Sequence, residues 1–363
     1  MQVNTIDISS EVGKQKQYYG VDLMKFIGAF FVVIIHVPPL KSVAPFLNYA
    51  LVNYLVRIAV PFFFVASGYF LFRKTTFDNF DIGIPIKYAV KNIKLYLIWT
   101  VIYLYPIIYY TIIHNEKGRT YGIWESIRNT IFMGSYVHLW YVKATAVAVL
   151  MLALLVKKRV KLIYIMILAT VLYVIGLLGQ SYFGLLRPLE PNETLWEILQ
   201  AVGEVMGTTR NGVFEGFFFI LLGALFAYKP IVMRFRNAVI GFCISMILLF
   251  GEVVCVKYFD WCIAKDMYIF LVPAVFFLFY IATHVELKEH KRYREMRAIG
   301  AMIFYIHLWI NVIVARTYEE ITGGKEFHSV PNFLLTLLCT VVVAILLVKL
   351  SNRKKFKWLR KLY

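Results

Sequence analysis

Apolar windows recur along the whole chain with charged punctuation between them, near 21–40, 49–72, 93–113, 138–156, 162–179, 212–228, 238–256, 267–284, 298–315 and 332–350. At 1.5 Å rise per residue, a helix of roughly 17–24 residues crosses a hydrocarbon core about 30 Å thick. The pattern therefore predicts an all-α polytopic membrane protein of about ten transmembrane helices. A shorter, mixed segment from Tyr121 to Met133 predicts an interfacial helix rather than a span. The implied division is an N-terminal segment 1–19, a transmembrane domain 20–350 and a basic tail 351–363.

Composition supports this division and removes the alternatives. The chain is 60% hydrophobic and 17% charged, against roughly 45–50% and 25% in soluble domains. Its net charge of +18 is sorted by connection rather than gathered into a nucleic-acid-binding face. Twenty-six of the 39 Lys and Arg fall in one set of alternate connections and ten in the other. The positive-inside rule then predicts a multi-pass plasma-membrane protein with both termini cytoplasmic, which an even number of spans satisfies. The first nineteen residues are polar and no small-residue cleavage site follows, so no cleavable signal peptide is expected. The tail SNRKKFKWLRKLY alternates basic and aromatic residues and reads as an anchor at the surface of the membrane lipid. Cys243, Cys255, Cys262 and Cys339 show no paired or metal-like spacing, and no metal site is expected.

Chemistry in such a chain is sought among polar residues inside apolar windows, where each needs a partner or a water-filled cavity. The first window, GVDLMKFIGAFFVVIIHVPP, carries Lys25 and His36 eleven positions apart, on nearly one helix face and about 16 Å apart along the axis. Lys25 reads either as a snorkelling lysine or as a site residue. Pro38 and Pro39 cannot continue the helix, so His36 sits where a cavity can meet its ring, suited to general-base work on a hydroxyl. Further along, Ser67-Gly68 permits close helix packing. Lys91 and Lys94 share a face at the entrance of the third span, where they either hold phosphates or satisfy the charge bias. His138, Trp140 and Tyr141 open the fourth window as an aromatic belt, with Lys143 one turn inside. Glu215, inside the sixth window, needs a counter-charge, for which Arg210 is nearest in sequence. Glu252 has no local basic partner, and Tyr305 and His307 mark a third polar helix face. No phosphate-binding loop, zinc-protease motif or nucleophile elbow is present in the sequence.

Several of these residues together resemble the acyltransferase family 3 membrane proteins. The resemblance rests on Lys25 and His36 with ten residues between, Ser67-Gly68-Tyr69, Lys91 and Lys94, His138-Leu139-Trp140-Tyr141, Arg210-Asn211-Gly212 and Tyr305-Ile306-His307. Within that family, AVPFFFVASGY and TRNGVF look like the membrane half of VanT-type serine/alanine racemases. Those continue into a pyridoxal-phosphate domain whose activity is not expected of a chain ending at Tyr363.

The resemblance implies acetyl transfer from cytosolic acetyl-CoA to a hydroxyl of an envelope glycan or lipid-linked acceptor. It places Lys25, Lys91 and Lys94 near the donor phosphates and His36 at the reaction, with Glu215 (or Glu125) as acid partner if the fold brings it close. Ser67, His138, Trp140, Tyr141, Arg210, Tyr305 and His307 fall on the acceptor side. Lysines stand at Lys91 and Lys94 where arginines are usual in the family, which gives up bidentate phosphate contacts. Binding or translocation of serine without acyl transfer is the alternative that the racemase likeness implies.

Overall fold

The computed structural model describes residues 17–75, 80–113, 118–229, 231–290, 292–325 and 327–363; the N-terminal segment expected over 1–19 lies almost wholly outside them. Among the described residues there is no strand. In chain order the helices are α1 (Tyr19–His36), α2 (Pro45–Asn53), α3 (Ala59–Phe72), α4 (Gly83–Ile102), α5 (Leu104–Ile107), α6 (Arg119–Arg128) and α7 (Trp140–Lys157). They continue with α8 (Leu162–Leu178), α9 (Glu193–Met206), α10 (Phe217–Tyr228), α11 (Phe235–Tyr258), α12 (Leu271–His284), α13 (Arg292–Thr322) and α14 (Ser329–Ser351).

Six stretches are long and apolar enough to cross a membrane: α1, Pro45–Phe72 (α2 through α3), α7, α11, α13 and α14. Two more qualify if each is taken with the bent piece after it, α4 with Leu104–Ile113 at 63° and α8 with Phe183–Leu189 at 78°. Two shorter apolar helices, Gly212–Tyr228 and Leu271–His284, complete the set. The ten apolar windows thus coincide with helices, and six to eight of these meet the length and composition of a span.

The bend after α4 has a specific cause. Pro106 has no N–H to give the Ile102 carbonyl, and Trp309 Nε1 of α13 takes that acceptor instead at 2.9 Å. The Tyr103 hydroxyl enters the α13 ladder, donating to the Tyr305 carbonyl at 2.8 Å and accepting from the Trp309 N–H at 3.2 Å. One proline thereby ties the end of α4 to the middle of α13.

Two regions have structure that the sequence reading did not specify. The long connection 180–211 contains the helix α9, whose N-cap Asn192 accepts from Leu195 N at 3.1 Å. The tail forms a 3₁₀ segment, Lys354–Leu362, with Leu359 buried and the Leu362 carbonyl bonded to Trp99 Nε1 at 2.9 Å. It lies against protein along α4 and α14.

Helices α3 and α10 make the closest crossing, and glycine permits it from both sides. A Cβ at Gly68 would stand 2.2 Å from the Ile220 carbonyl oxygen, and one at Gly223 only 2.0 Å from that of Val65. Backbone cannot yield as a flexible side chain does, so Gly223→Val is expected to destabilise the protein by more than the roughly 1–3 kcal/mol of ordinary overpacking. Thermal unfolding in detergent, followed by size-exclusion fluorescence, checks this; an unchanged midpoint contradicts the packing described.

Candidate functional site

α1 ends at His36 because Val37 closes the last turn, its N–H on Val33 O at 2.8 Å, and the two prolines follow. The half-buried imidazole opens onto an internal cavity also lined by Arg57, His138, Trp140, Arg210, Glu215 and Asp266. The cavity volume of about 30 Å³ admits one or two waters. Of the sequence-named residues, it gathers His36, His138, Trp140, Tyr141, Arg210 and Glu215.

Its charges are organised by Asp266. One carboxylate oxygen accepts from Arg57 Nη1 in a short contact and from Arg210 Nη1 at 3.1 Å. Arg57 also reaches Asn53 Oδ1 at 3.3 Å, and Arg210 lies 5.0 Å over the Trp140 ring. Burial by itself pushes the Asp266 carboxyl up, but the Arg210 and Arg57 guanidiniums together hold it below its ordinary value. Arg210 therefore pairs with Asp266 rather than with Glu215. The Glu215 Oε2, Arg57 Nε and Arg210 Nε atoms are buried without a hydrogen-bond partner.

The backbone around these groups is fixed from several directions. Asn211 Oδ1 accepts from Val213 N at 2.9 Å and Phe214 N at 3.2 Å, capping a π-helical turn, Gly212–Gly216, that carries Glu215. The connection holding Asp266 is tied to α8 and the residues after it by Ser181 Oγ on Met267 O at 2.6 Å and Tyr173 OH on Tyr268 O at 2.8 Å. Glu252 supplies the rest. Its carboxylate accepts from Tyr182 OH and Ile269 N, both at 2.6 Å, and from Phe270 N at 2.8 Å. The acid without a basic neighbour thus uses hydroxyl and backbone donors, and it holds the Asp266 connection.

Three histidines cluster here, His36 and His138 on the cavity lining and His307 packed against both. Ring centroids are 5.4 Å apart for His36 and His307, 5.1 Å for His138 and His307, and 6.3 Å for His36 and His138. His307 Nδ1 faces only carbonyl oxygens, Phe304 O at 2.8 Å and Ile303 O at 3.2 Å, so Nδ1 carries the proton and Nε2 is left as acceptor. That Nε2 atom is buried without a partner. The Tyr103 ring packs 5.1 Å from His138, so the tie between α4 and α13 also borders the cluster.

The remaining sequence candidates lie elsewhere. Ser67 Oγ is 3.5 Å from Tyr141 OH, behind the cavity wall. Tyr305 stacks on Trp99 at 5.0 Å. Lys25 lies 5.1 Å over the Phe70 ring, toward the opposite end of α1. Lys91 and Lys94 line a separate groove of about 650 Å³. Lys143 donates to Thr130 O at 3.1 Å and Ile131 O at 2.9 Å, a structural brace. Glu125 stands beside Arg128 on α6 at 3.8 Å and does not line the cavity. Sequence reasoning passed over Arg57 and Asp266. Arg57 carried a signal, as the one charged residue in the window 49–72; Asp266 had none that set it apart from other loop acids.

A bundle of apolar helices closed around a cavity of histidines, arginines and carboxylates defines a polytopic membrane protein with a buried polar site. Residues 18–349 match the acyltransferase domain of acyltransferase family 3, and the chain belongs to that family. It is 30% identical over 349 residues to a serine/alanine racemase of Enterococcus gallinarum, covering 94% of this chain and 47% of that protein. It is 28% identical over 347 residues to an amino-acid racemase of Enterococcus faecalis, covering 95% and 47%. The chain spans about half the length of the curated relatives it matches. No solved structure matches it.

Asp266→Asn leaves two half-buried guanidiniums without their shared carboxylate, and a loss of about 2–4 kcal/mol is expected, somewhat below that of a fully buried pair. Because the Asp266 carboxyl is held below its unfolded value of about 3.9, its contribution is present above that pH and fades as pH falls through the folded value. Thermal midpoints of the two proteins should therefore differ at pH 7 and converge in acid. A constant difference across that range contradicts the assignment.

Proposed function

We propose that this protein is a membrane O-acyltransferase that moves an acetyl group from cytosolic acetyl-CoA to a hydroxyl of an envelope carbohydrate or lipid-linked acceptor. The observation that carries the reading is His36, at the end of the first helix, opening onto a polar cavity inside a chain of acyltransferase family 3. In this reading the chain crosses the plasma membrane ten times with both termini cytoplasmic, as the lysine and arginine distribution favours. Lys25, Lys91 and Lys94 then lie toward the donor and the cavity lies deeper.

His36 acts as general base. An imidazole nitrogen takes the proton of the acceptor hydroxyl as its oxygen attacks the thioester carbonyl. The new C–O bond forms, the C–S bond breaks, and the departing thiolate takes up the proton. The unpartnered His307 Nε2 gives the cluster a second acceptor for the proton, and Arg57 and Arg210 supply donors near an oxyanion. Glu215 tunes the polarity of the same cavity.

A second reading has one specific observation in its favour. The cavity offers two buried guanidinium N–H donors, Arg57 Nε and Arg210 Nε, and a free carboxyl oxygen, Glu215 Oε2. That set complements the carboxylate and ammonium of a small amino acid such as serine, in keeping with the names of the relatives. The site would then bind or translocate the amino acid without acyl transfer.

His36→Ala is expected to leave a folded, membrane-inserted protein with acetyl transfer reduced about 10²–10⁴-fold. The measurement is transfer of labelled acetyl from acetyl-CoA into membrane material; full transfer by the variant rejects the first reading. Labelled serine bound or taken up by proteoliposomes, with no acetyl-CoA consumed, supports the second.

A further inference from the structure

Lys87, Lys91 and Lys94 follow one another at i, i+4 and i+7, a single stripe about two turns long in the first half of α4. The 3₁₀ tail brings Arg360 and Lys361 to the same groove, whose floor is formed by aliphatic side chains of α4. The lining thus holds five cations and, among the described residues, no carboxylate. The tail is held in place at three points. Trp99 Nε1 donates to Leu362 O at 2.9 Å, the Ser351 and Tyr363 hydroxyls meet at 2.8 Å, and Leu359 is buried. Arg360 Nη2 also donates to Asn352 Oδ1 at 2.9 Å, a neutral partner that leaves its charge uncompensated.

Five like charges held around one groove repel one another, and a polyanion relieves that repulsion. A single phosphodiester headgroup brings one negative charge, whereas a nucleotide with a pyrophosphate and a further phosphate brings several. A line of contacts also runs inward from the groove. Tyr88, between Lys87 and Lys91, sits beside Ser67, and Ser67 lies 3.5 Å from Tyr141 at the cavity wall. Trp99, which holds the tail, stacks on Tyr305, two residues from His307.

We infer that the C-terminal segment is part of the donor site, with Arg360 and Lys361 joining Lys87, Lys91 and Lys94 to hold the phosphates of coenzyme A. This rests on the acetyl-CoA reading above and adds to it residues that the transmembrane domain does not supply. Arg360 and Lys361 are exposed, so their replacement leaves the packing of Leu359 and Leu362 in place.

The test uses the full chain in nanodiscs of zwitterionic lipid, with coenzyme A as titrant in calorimetry. The double variant Arg360→Gln/Lys361→Gln is expected to weaken binding about tenfold, in line with two lost contacts to charged groups near a surface. The charge-keeping exchange Arg360→Lys/Lys361→Arg should restore most of it, and the difference should shrink at high salt. If the wild-type protein and Lys91→Gln differ in coenzyme A binding while the double variant matches wild type, the tail assignment is overturned and the donor reading stands. If wild type binds no coenzyme A, both fall. If the double variant loses only a stabilisation conferred by phosphatidylglycerol in the discs, the groove belongs to lipid headgroups and the inference is overturned.

Discussion

Two guanidiniums on one carboxylate, inside an apolar bundle, set the terms for the rest of this structure. Removing charge from water costs several kcal/mol per ion, and that penalty is offset only where geometry and further hydrogen bonds are good. Arg57 comes from the 3₁₀ turn before α3, Arg210 from the segment before α10, and Asp266 from the connection before α12. Each must be delivered accurately for any of them to be tolerated. The Asn211 cap, the Glu252 carboxylate on two backbone N–H groups, and the Ser181 and Tyr173 hydroxyls on the 259–270 connection all serve that delivery. Two guanidiniums and two carboxyl groups stand beside His36, together with polar atoms whose hydrogen bonds are unfilled. Such atoms are uncommon in proteins, and their gathering in one cavity marks the site more firmly than any single residue does.

Much of this was legible in the chain because membrane helices announce themselves by length and composition. The ten windows coincide with helices, and His36, His138, Trp140, Tyr141, Arg210 and Glu215 fall around one cavity. Pairing was harder to read. Arg210 and Glu215 are near in sequence, yet Arg210 takes its partner from 56 positions away. Asp266 looks like any loop acid until the fold carries it between two arginines. Glu252 was visible as a problem, an acid at membrane depth, but its solution used backbone donors that no sequence pattern advertises. The packing of the tail was hidden for a related reason. Its basic and aromatic alternation suits a membrane surface, but the contacts that hold it to the bundle, such as the Trp99 indole N–H on the Leu362 carbonyl, join residues far apart in the chain.

Family membership and local chemistry meet at the histidines. An acyl transfer needs a base whose nitrogen is free, and a buried cluster offers more than one candidate. His307 is committed at Nδ1 to its own helix backbone, which fixes its tautomer and points the other nitrogen outward. His36, at a helix end, has no such internal tether through its neighbours on α1. The two rings therefore differ in their tethers: His307 faces carbonyls of its own helix, and His36 does not.

The glycine crossing of α3 and α10 has a kinematic consequence. With the Gly68 backbone against Ile220 and the Gly223 backbone against Val65, no cushion of side chains allows one helix to slide along the other. The pair packs as a single plate, and it carries Val60 and Pro61 on one member and, just before the other, Glu215. The other side of this cavity of about 30 Å³ is formed in part by α1, α13 and the connection bearing Asp266. Main chain meeting main chain makes that crossing a stiff side of the site.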